Sequence, residues 1–200
     1  MDKTVPSGEI RGELAPPCSK SYAQRALAAA LLAEGTSTLR NIELCDDTRS
    51  ALRCIEALGA DITIADPHTL RIRGGLAPRG RTLYVGESGL STRLFTPIAA
   101  LAGVPLRIEG TGTLLGRPME MMIAPLRQLG VAVTHRDGRL PFDVCGPLRS
   151  ATVEVDGSVS SQFLTGLLMA LPAARGEFTL DVRDAVSTPY IDMTIEAARR

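Results

Sequence analysis

Three stretches of the sequence place serine hydroxyls beside a basic or an amide side chain, and an apolar run follows each stretch. They are Ser19-Lys20-Ser21 with Arg25, the segment from Glu87 to Arg93, and the segment from Asp156 to Gln162. The apolar runs predict helices, so the polar groups would lie at helix N-termini. Free backbone N–H groups and the positive end of the helix dipole favour anions there. Phosphates or carboxylates are the expected ligands, although a serine that only caps its helix is the alternative at any single site.

The side chains in these stretches differ in what they can bind. Lys20 is a compact point charge, and Arg25, one turn further on, is a planar fork that can bind two oxygens of one anion. Gly86 and Gly89 would let the backbone approach a ligand closely, or would only permit a tight turn. Gln162 and its neighbouring serines are neutral donors suited to phosphate or to sugar hydroxyls. A solvent-facing Lys20 and Arg25 remains the alternative for the first stretch.

Two further polar features precede predicted helices. In Gly116-Arg117-Pro118-Met119, the proline suits the first helical position, which puts Arg117 at a helix start. An arginine there adds to the positive helix end, so an external anion explains it better than capping does. Asp46-Asp47 is expected to cap the helix that follows it, and a general base there is the lesser alternative.

The polar stretches recur at a nearly constant interval. Arg25 and Arg93 are 68 residues apart, Arg93 and Gln162 are 69 apart, and the helix-ending glycines Gly59 and Gly130 are 71 apart. The chain therefore divides into three βαβαββ units at about 9–77, 78–149 and 150–200. The same interval puts a third capping glycine at position 201, so we expect the third unit to be incomplete. An ordinary α/β domain with accidental spacing is the alternative.

Period-two alternation predicts two strand pairs after the second helices. They are Ala60–Ile64 with Leu70–Ile72, and Val131–Thr134 with Phe142–Val144. A unit of this kind cannot cover both faces of its own helices. Three units would therefore pack their helices inward and leave their sheets outside.

Composition excludes several classes of protein. The 22 basic and 22 acidic residues balance, and tryptophan is absent, so nothing favours nucleic acid as a partner. The four cysteines form no CxxC pair and have no histidine cluster beside them, which argues against a zinc site or a redox dithiol. The sequence shows neither a leader pattern nor an apolar stretch long enough for a membrane span, and we expect a cytoplasmic protein.

Over nearly its whole length the sequence resembles 3-phosphoshikimate 1-carboxyvinyltransferase, the EPSP synthase family. Five ordered motifs carry the resemblance: Ser19-Lys20-Ser21 with Arg25, Gly86 through Arg93, Arg117-Pro118, Asp156 through Leu164, and Val186 through Met193.

The resemblance implies an inside-out α/β (α+β) fold with two lobes, each built from three βαβαββ units around a cleft between them. It implies shikimate 3-phosphate contacts from Lys20, Ser21, Arg25, Ser160, Ser161, Gln162 and Ser187. It implies phosphoenolpyruvate contacts from Lys20, Gly89, Arg117 and Gln162. Tyr190 would line the shikimate side, and Arg93 would support the second loop.

The implied reaction transfers the enolpyruvyl group of phosphoenolpyruvate to the 5-hydroxyl of shikimate 3-phosphate and releases phosphate. It needs neither a metal nor an organic cofactor. The family's main acid and base carboxylates come from the C-terminal lobe, which this chain lacks, so no catalytic residue is assigned here. We expect the chain alone to bind without turnover. A UDP-N-acetylglucosamine enolpyruvyl transferase and a non-catalytic anion-binding module are the alternatives.

Several positions depart from the family pattern. Cys18 replaces a common glycine, Ala23-Gln24 replaces Ser-Asn, and Thr188 replaces a frequent lysine. Glu87 stands where asparagine is usual, and its charge matters most, because a carboxylate beside an anion site repels the ligand unless it points away or is paired.

Overall fold

A computed structural model describes residues 3–4, 6–9 and 11–200 of the chain. The six helices found there are α1 (Lys20–Leu32), α2 (Asp46–Ala57), α3 (Gly89–Leu101), α4 (Ile123–Gln128), α5 (Ser161–Ala170) and α6 (Thr188–Arg199). Among the residues described, no helix combines the length and the apolar character that crossing a membrane requires.

The strands of the described residues form three separate sheets. Their bounds are β1 (Thr36–Arg40), β2 (Asp61–Asp66), β3 (Thr69–Arg73), β4 (Thr82–Tyr84), β5 (Leu106–Glu109), β6 (Ala132–Arg136), β7 (Arg139–Cys145), β8 (Ala151–Asp156) and β9 (Phe178–Arg183). The first sheet is antiparallel in the order β1-β3-β2, and the second has the order β4-β5-β7-β6. In the second sheet β4 runs parallel to β5, and in the third β8 runs parallel to β9.

Serine caps fix the starts of the three main helices. The hydroxyls of Ser19, Ser88 and Ser160 accept a hydrogen bond from a backbone N–H in the first turn of α1, α3 and α5. This bond satisfies one of the donors that a helix start leaves free. All three helices therefore begin within the polar stretches that the sequence singled out.

The helices α1, α3 and α5 lie inside and the sheets outside, as predicted, whereas α6 buries just Thr194 and Ala197. Almost every residue of α3 is buried, including Pro97 in its third turn. The strands instead alternate between a buried and an exposed side chain, most clearly β3 and β7. One face of each of these strands therefore packs on the helices while the other meets solvent.

Both predicted strand pairs are confirmed. β2 pairs with β3 and β6 with β7, each as an antiparallel hairpin. The glycines predicted to end the preceding helices have the left-handed backbone that this position favours, with φ of +121° at Gly59 and +79° at Gly130.

The strand predicted before α1 does not form in residues 11–19, which have no regular secondary structure. Pro16 and Pro17 supply no backbone N–H to a ladder, which removes two donors beside the helix. The edge of β1 that would pair with such a strand has no partner among the described residues.

Close contact between α3 and α5 sets the spacing of the inner helices. An ideal Cβ on Gly166 would lie 2.2 Å from the carbonyl oxygen of Arg93 and 3.1 Å from the Cα of Leu94. These are backbone atoms and cannot rotate away. Gly166 is therefore the residue that lets the two helices approach.

We predict that Gly166→Ala lowers the free energy of unfolding by about 1–3 kcal/mol, because the new methyl group overpacks a backbone contact. Urea denaturation of the chain measures the change. Gly80→Ala is the control, since a Cβ there meets nothing within 4 Å. Equal stability of the Gly166→Ala variant and the unmodified chain would contradict this account of the helix contact.

Candidate functional site

Lys20 lies in the first turn of α1 and forms an ion pair across to α2. Its Nζ lies 2.9 Å from Oδ2 of Asp47, while more than half of the lysine side chain stays exposed. The hydrogen bond to Asp47, and then the charge of Asp47, raise the pKa of Lys20. The ammonium group is therefore charged and tethered before any ligand arrives.

The expectation that Asp46-Asp47 caps a helix is wrong in detail. Cys45 is the N-cap of α2 and makes no side-chain capping bond, while both aspartates lie inside the first turn. Carboxylates there still favour the helix dipole. Thr48 bonds to the carbonyls of Glu43 and Cys45, which fixes the turn in the absence of a serine or aspartate cap.

Gln24 connects the first polar stretch to the second. It is 1% exposed, and its Oε1 accepts hydrogen bonds from the hydroxyls of Ser88 (3.2 Å) and Ser91 (2.9 Å). Its Nε2 donates to the carbonyl of Lys20 at 3.4 Å. One buried amide therefore links the start of α1 to the start of α3. The sequence marked Gln24 only as a departure from a family pattern.

Arg25 is 1% exposed and bonds to three helices. Its Nε donates to Thr194 in α6 (2.8 Å), one Nη2 hydrogen to Thr165 in α5 (2.9 Å), and Nη1 to the carbonyl of Ser21 in α1 (2.8 Å). A longer bond from Nη2 reaches the carbonyl of Tyr190. Burial lowers the pKa of Arg25. These bonds account for four of its five N–H groups, so only one is free for a ligand.

The start of α6 lies beside this arginine. The guanidinium carbon of Arg25 is 5.8 Å from the centre of the Tyr190 ring, within range of a cation–π contact. Ser187 is the N-cap of α6, with φ of +57°, and its hydroxyl makes no capping bond. Holding a serine in the left-handed backbone region costs conformational energy, and residues at binding sites often carry such backbone strain.

The second polar stretch brings two guanidinium groups to the start of α3. Arg93 Nη1 donates to the carbonyl of Gly89 (3.2 Å) and to Oε1 of Gln162 in α5 (3.0 Å). An ideal Cβ on Gly89 would lie 2.9 Å from Nη1 of Arg93, 3.4 Å from Nη1 of Arg117 and 3.8 Å from Oε1 of Gln162. Four residues from three separate sequence motifs thus lie close together around the start of α3: Gly89, Arg93, Arg117 and Gln162.

The electrostatics of this cluster favour an anion. Burial, and then the charge of Arg117, lower the pKa of Arg93. Within residues 11–200 neither arginine forms a salt bridge with a carboxylate. The buried Nε of Arg93 also has no acceptor in the part of the chain described. Two adjacent cations at a helix N-terminus are best compensated by a bound anion.

Arg117 reaches this cluster by a route other than the predicted one. It is extended, with ψ of 133°, and follows a 3-10 turn at Gly112–Gly116. The next helix does not start at Pro118, because Met119 lies outside the helical region, with φ of −127° and ψ of 17°, and its N–H bonds to the carbonyl of Gly138. A second 3-10 turn at Glu120–Met122 precedes α4.

The third polar stretch contributes the start of α5. Ser160 accepts from the N–H of Gln162, and Ser161 is buried at 7% exposure. The Ser158 hydroxyl bonds instead to Asp156 at 2.6 Å, away from the helix start. Ser160, Ser161 and Gln162 therefore lie next to the cluster around Gly89 through the bond of Gln162 to Arg93.

A large groove of the described chain lies elsewhere. Its volume is about 930 Å³, and it runs between α1, β1 and the end of α6. It contains neither Arg25 nor Arg117. The candidate site is instead an open surface formed by adjacent helix starts.

Comparisons with known proteins all point to a single family. The profile of the family described as EPSP synthase (3-phosphoshikimate 1-carboxyvinyltransferase) matches residues 5–199. The 3-phosphoshikimate 1-carboxyvinyltransferase of Methanothermobacter thermautotrophicus is 38% identical, over 100% of this chain and 49% of that protein. The enzyme of the same name from Thermococcus kodakarensis is 40% identical, over 95% of this chain and 45% of its own length.

A solved structure gives the same result. The EPSP synthase of Acinetobacter baumannii superposes with a TM-score of 0.77 at 27% identity, covering 88% of this chain and 41% of that one. The chain thus spans about half the length of the curated relatives it matches.

Inner helices covered by sheets define an α/β fold class, the one that the solved EPSP synthase structures share. Within that class, the match over residues 5–199 shows that the chain belongs to the EPSP synthase family.

The bonds of Arg25 make a prediction about stability. Thr194→Val removes the acceptor of a buried, charged donor, and we expect the free energy of unfolding to fall by about 1–3 kcal/mol. Thr38→Val, at an exposed position of β1, is the control and should change stability little. Chemical denaturation compares the two. A loss at Thr194 no larger than the loss at Thr38 would show that the Arg25 bonds do not stabilise the fold.

Proposed function

We propose that this chain is the part of an EPSP synthase that binds shikimate 3-phosphate and contributes to the phosphoenolpyruvate site. The complete enzyme would transfer the enolpyruvyl group to the 5-hydroxyl of shikimate 3-phosphate and release phosphate. One observation carries the proposal. Arg93 and Arg117 converge on Gly89 at the start of α3 without a carboxylate partner among the described residues.

Phosphoenolpyruvate would occupy this cluster. Its carboxylate and phosphate are both anionic, and the cluster offers Nη1 of the exposed Arg117 beside Gly89, which is buried and whose lack of a side chain leaves room for the two guanidinium groups. Gln162 lies next to the cluster, where its Oε1 accepts a hydrogen bond from Nη1 of Arg93 at 3.0 Å. Lys20 would approach from α1 once its ion pair with Asp47 opens.

Shikimate 3-phosphate would bind along the starts of α1, α5 and α6. Its proposed contacts are Lys20, Ser21, Arg25, Ser160, Ser161, Gln162 and Ser187. Arg25 has four of its N–H groups engaged internally, so its main role would be to hold Ser21 and Tyr190 in place. The free hydroxyl of Ser187 and the neutral donors of α5 would then bind phosphate and ring hydroxyls.

The chemistry would proceed by positioning and charge stabilisation. The 5-hydroxyl oxygen adds to the central carbon of phosphoenolpyruvate and gives up its proton to a base, while the methylene carbon of phosphoenolpyruvate takes up a proton, which gives a tetrahedral intermediate. Loss of a methyl proton and of phosphate then forms the enol ether. Lys20 and Arg117 would stabilise the phosphate as its charge grows. The carboxylates for proton transfer would come from a second lobe, and no catalytic residue is proposed in this chain.

The substrates proposed here are soluble metabolites, so we propose that the enzyme acts in the cytoplasm. The second lobe is the proposed protein partner, and neither nucleic acid nor a membrane is needed. The balanced charge of the chain is consistent with local anion sites rather than a global positive field.

The first test is ligand binding to this 200-residue chain. We predict that shikimate 3-phosphate raises its melting temperature while phosphate release from added phosphoenolpyruvate stays at background, because the proposed proton-transfer carboxylates belong to the second lobe. A ligand at about 100 times its dissociation constant stabilises by about 2.7 kcal/mol. Lys20→Ala should reduce the shift, and Lys3→Ala is the matched control. Stabilisation by UDP-N-acetylglucosamine instead would favour the sister enzyme, and no stabilisation by either ligand would contradict the proposal.

The second test addresses Arg117 in a complete enzyme that carries this chain. Arg117→Ala removes a charge-assisted contact worth about 1.5–3 kcal/mol, so the KM for phosphoenolpyruvate should rise roughly ten- to hundredfold. The KM for shikimate 3-phosphate should change far less. Steady-state kinetics with each substrate varied measures both values, and an unchanged dependence on phosphoenolpyruvate would refute the assignment.

A further inference from the structure

Glu87 is the acidic residue nearest in sequence to the cluster around Gly89, and one oxygen of its carboxylate is bonded to a neighbouring turn. One oxygen, Oε2, accepts hydrogen bonds from both the backbone N–H and the hydroxyl of Thr113, each at 3.0 Å. The carboxylate is thereby directed to the start of the 3-10 turn at Gly112–Gly116. The negative charge that the sequence places beside the anion site is therefore bound to this turn.

The turn is shaped to accept this carboxylate. Gly112 has φ of +58°, and an ideal Cβ there would lie 2.3–2.5 Å from the carboxylate carbon and oxygens of Glu87. Only glycine therefore leaves room for the carboxylate. Glu87 and Gly112 form a matched pair, which a carboxylate with an arbitrary orientation would not require.

The same threonine hydroxyl also meets Arg117. Nη2 of Arg117 donates to Oγ1 of Thr113 at 3.3 Å. A hydroxyl has a single proton, and here that proton is given to Glu87, so the oxygen lone pairs face the arginine. The negative charge of Glu87 polarises the hydroxyl and strengthens it as an acceptor. Glu87, Thr113 and Arg117 thus form one chain of hydrogen bonds.

We propose that Glu87 is a positioning residue that, through Thr113, fixes the Arg117 guanidinium for phosphoenolpyruvate. The inference rests on the proposed function, because it assigns the ligand of Arg117. It predicts that removing the carboxylate changes the KM for phosphoenolpyruvate in the direction opposite to that expected from charge repulsion alone. A carboxylate that merely lay near the anion would weaken binding, and its removal would lower the KM for phosphoenolpyruvate. A carboxylate that positions Arg117 strengthens binding, and its removal raises that KM.

Two pairs of variants in the complete enzyme separate these outcomes. Thr113→Val removes the hydroxyl at constant shape, and we expect the KM for phosphoenolpyruvate to rise about fivefold to tenfold, with kcat and the KM for shikimate 3-phosphate little changed. Thr113→Ser keeps the hydroxyl and should restore most of the affinity. Glu87→Ala should raise the KM by a similar factor. Glu87→Gln keeps an oxygen that can accept both bonds and should have a smaller effect.

The double variant tests whether the two residues act as one unit. Glu87→Ala with Thr113→Val should be no worse than the poorer single variant, because both break the same chain of bonds. Thr111→Val is the control at the same turn, since the Thr111 hydroxyl makes no capping bond. Melting temperatures of all variants identify any that fail to fold, and the serine and glutamine variants keep the test valid in that case.

The kinetic results distinguish failure of this inference from failure of the proposed function. An unchanged or lowered KM for phosphoenolpyruvate in both Glu87→Ala and Thr113→Val would overturn the inference. If Arg117→Ala raises that KM in the same series, the proposed function survives without it. If Arg117→Ala also leaves the KM unchanged, the proposed phosphoenolpyruvate site is wrong as well.

Discussion

The candidate site depends on the hydrogen bonds that the buried guanidinium of Arg25 donates. Its bonds to Thr165 and Thr194 join α1 to α5 and α6, at 2.9 Å and 2.8 Å. A buried cation is costly unless its donors are satisfied, so these helices must keep their positions for the charge to be tolerated. The starts of α1 and α6 are consequently held side by side before a ligand is bound.

Hydrogen bonds between helices also hold the start of α3 in place, and there the side-chain amides of two glutamines take the role of the threonine hydroxyls. Gln24 bonds α1 to Ser88 and Ser91, and Gln162 bonds α5 to Arg93. Polar groups that face each other inside the protein thus fix the geometry, while the side chains of Lys20 and Arg117 remain exposed. A site organised in this way needs little rearrangement when an anion arrives, which is the condition for effective electrostatic stabilisation.

The sequence predicted most of the fold because its signals are local and repeated. Serine caps, period-two strands and helix-ending glycines such as Gly59 and Gly130 report short-range backbone preferences, and these preferences held in the structure. The start of the helix after Arg117 was mispredicted, because the N–H of Met119 bonds to Gly138, a contact that only the folded chain brings about. The contact between Glu87 and Thr113 is likewise tertiary, since 26 residues separate the two. The sequence therefore indicated which residues belong to the site, but not which of them support the others. The unit boundaries and the ligand contacts remain predictions.

The central claim is that the starts of α1, α3, α5 and α6 together form one anion site. The most direct test is amide chemical-shift mapping by NMR, with shikimate 3-phosphate and then phosphoenolpyruvate titrated into the isotope-labelled 200-residue chain and shikimate as the control that lacks phosphate. The account predicts that saturable shifts appear together at Ser21, Gly89, Gln162 and Ser187, with the outer strands β2, β6 and β7 unaffected. Shifts confined to one helix start, or to the outer sheets, would contradict it.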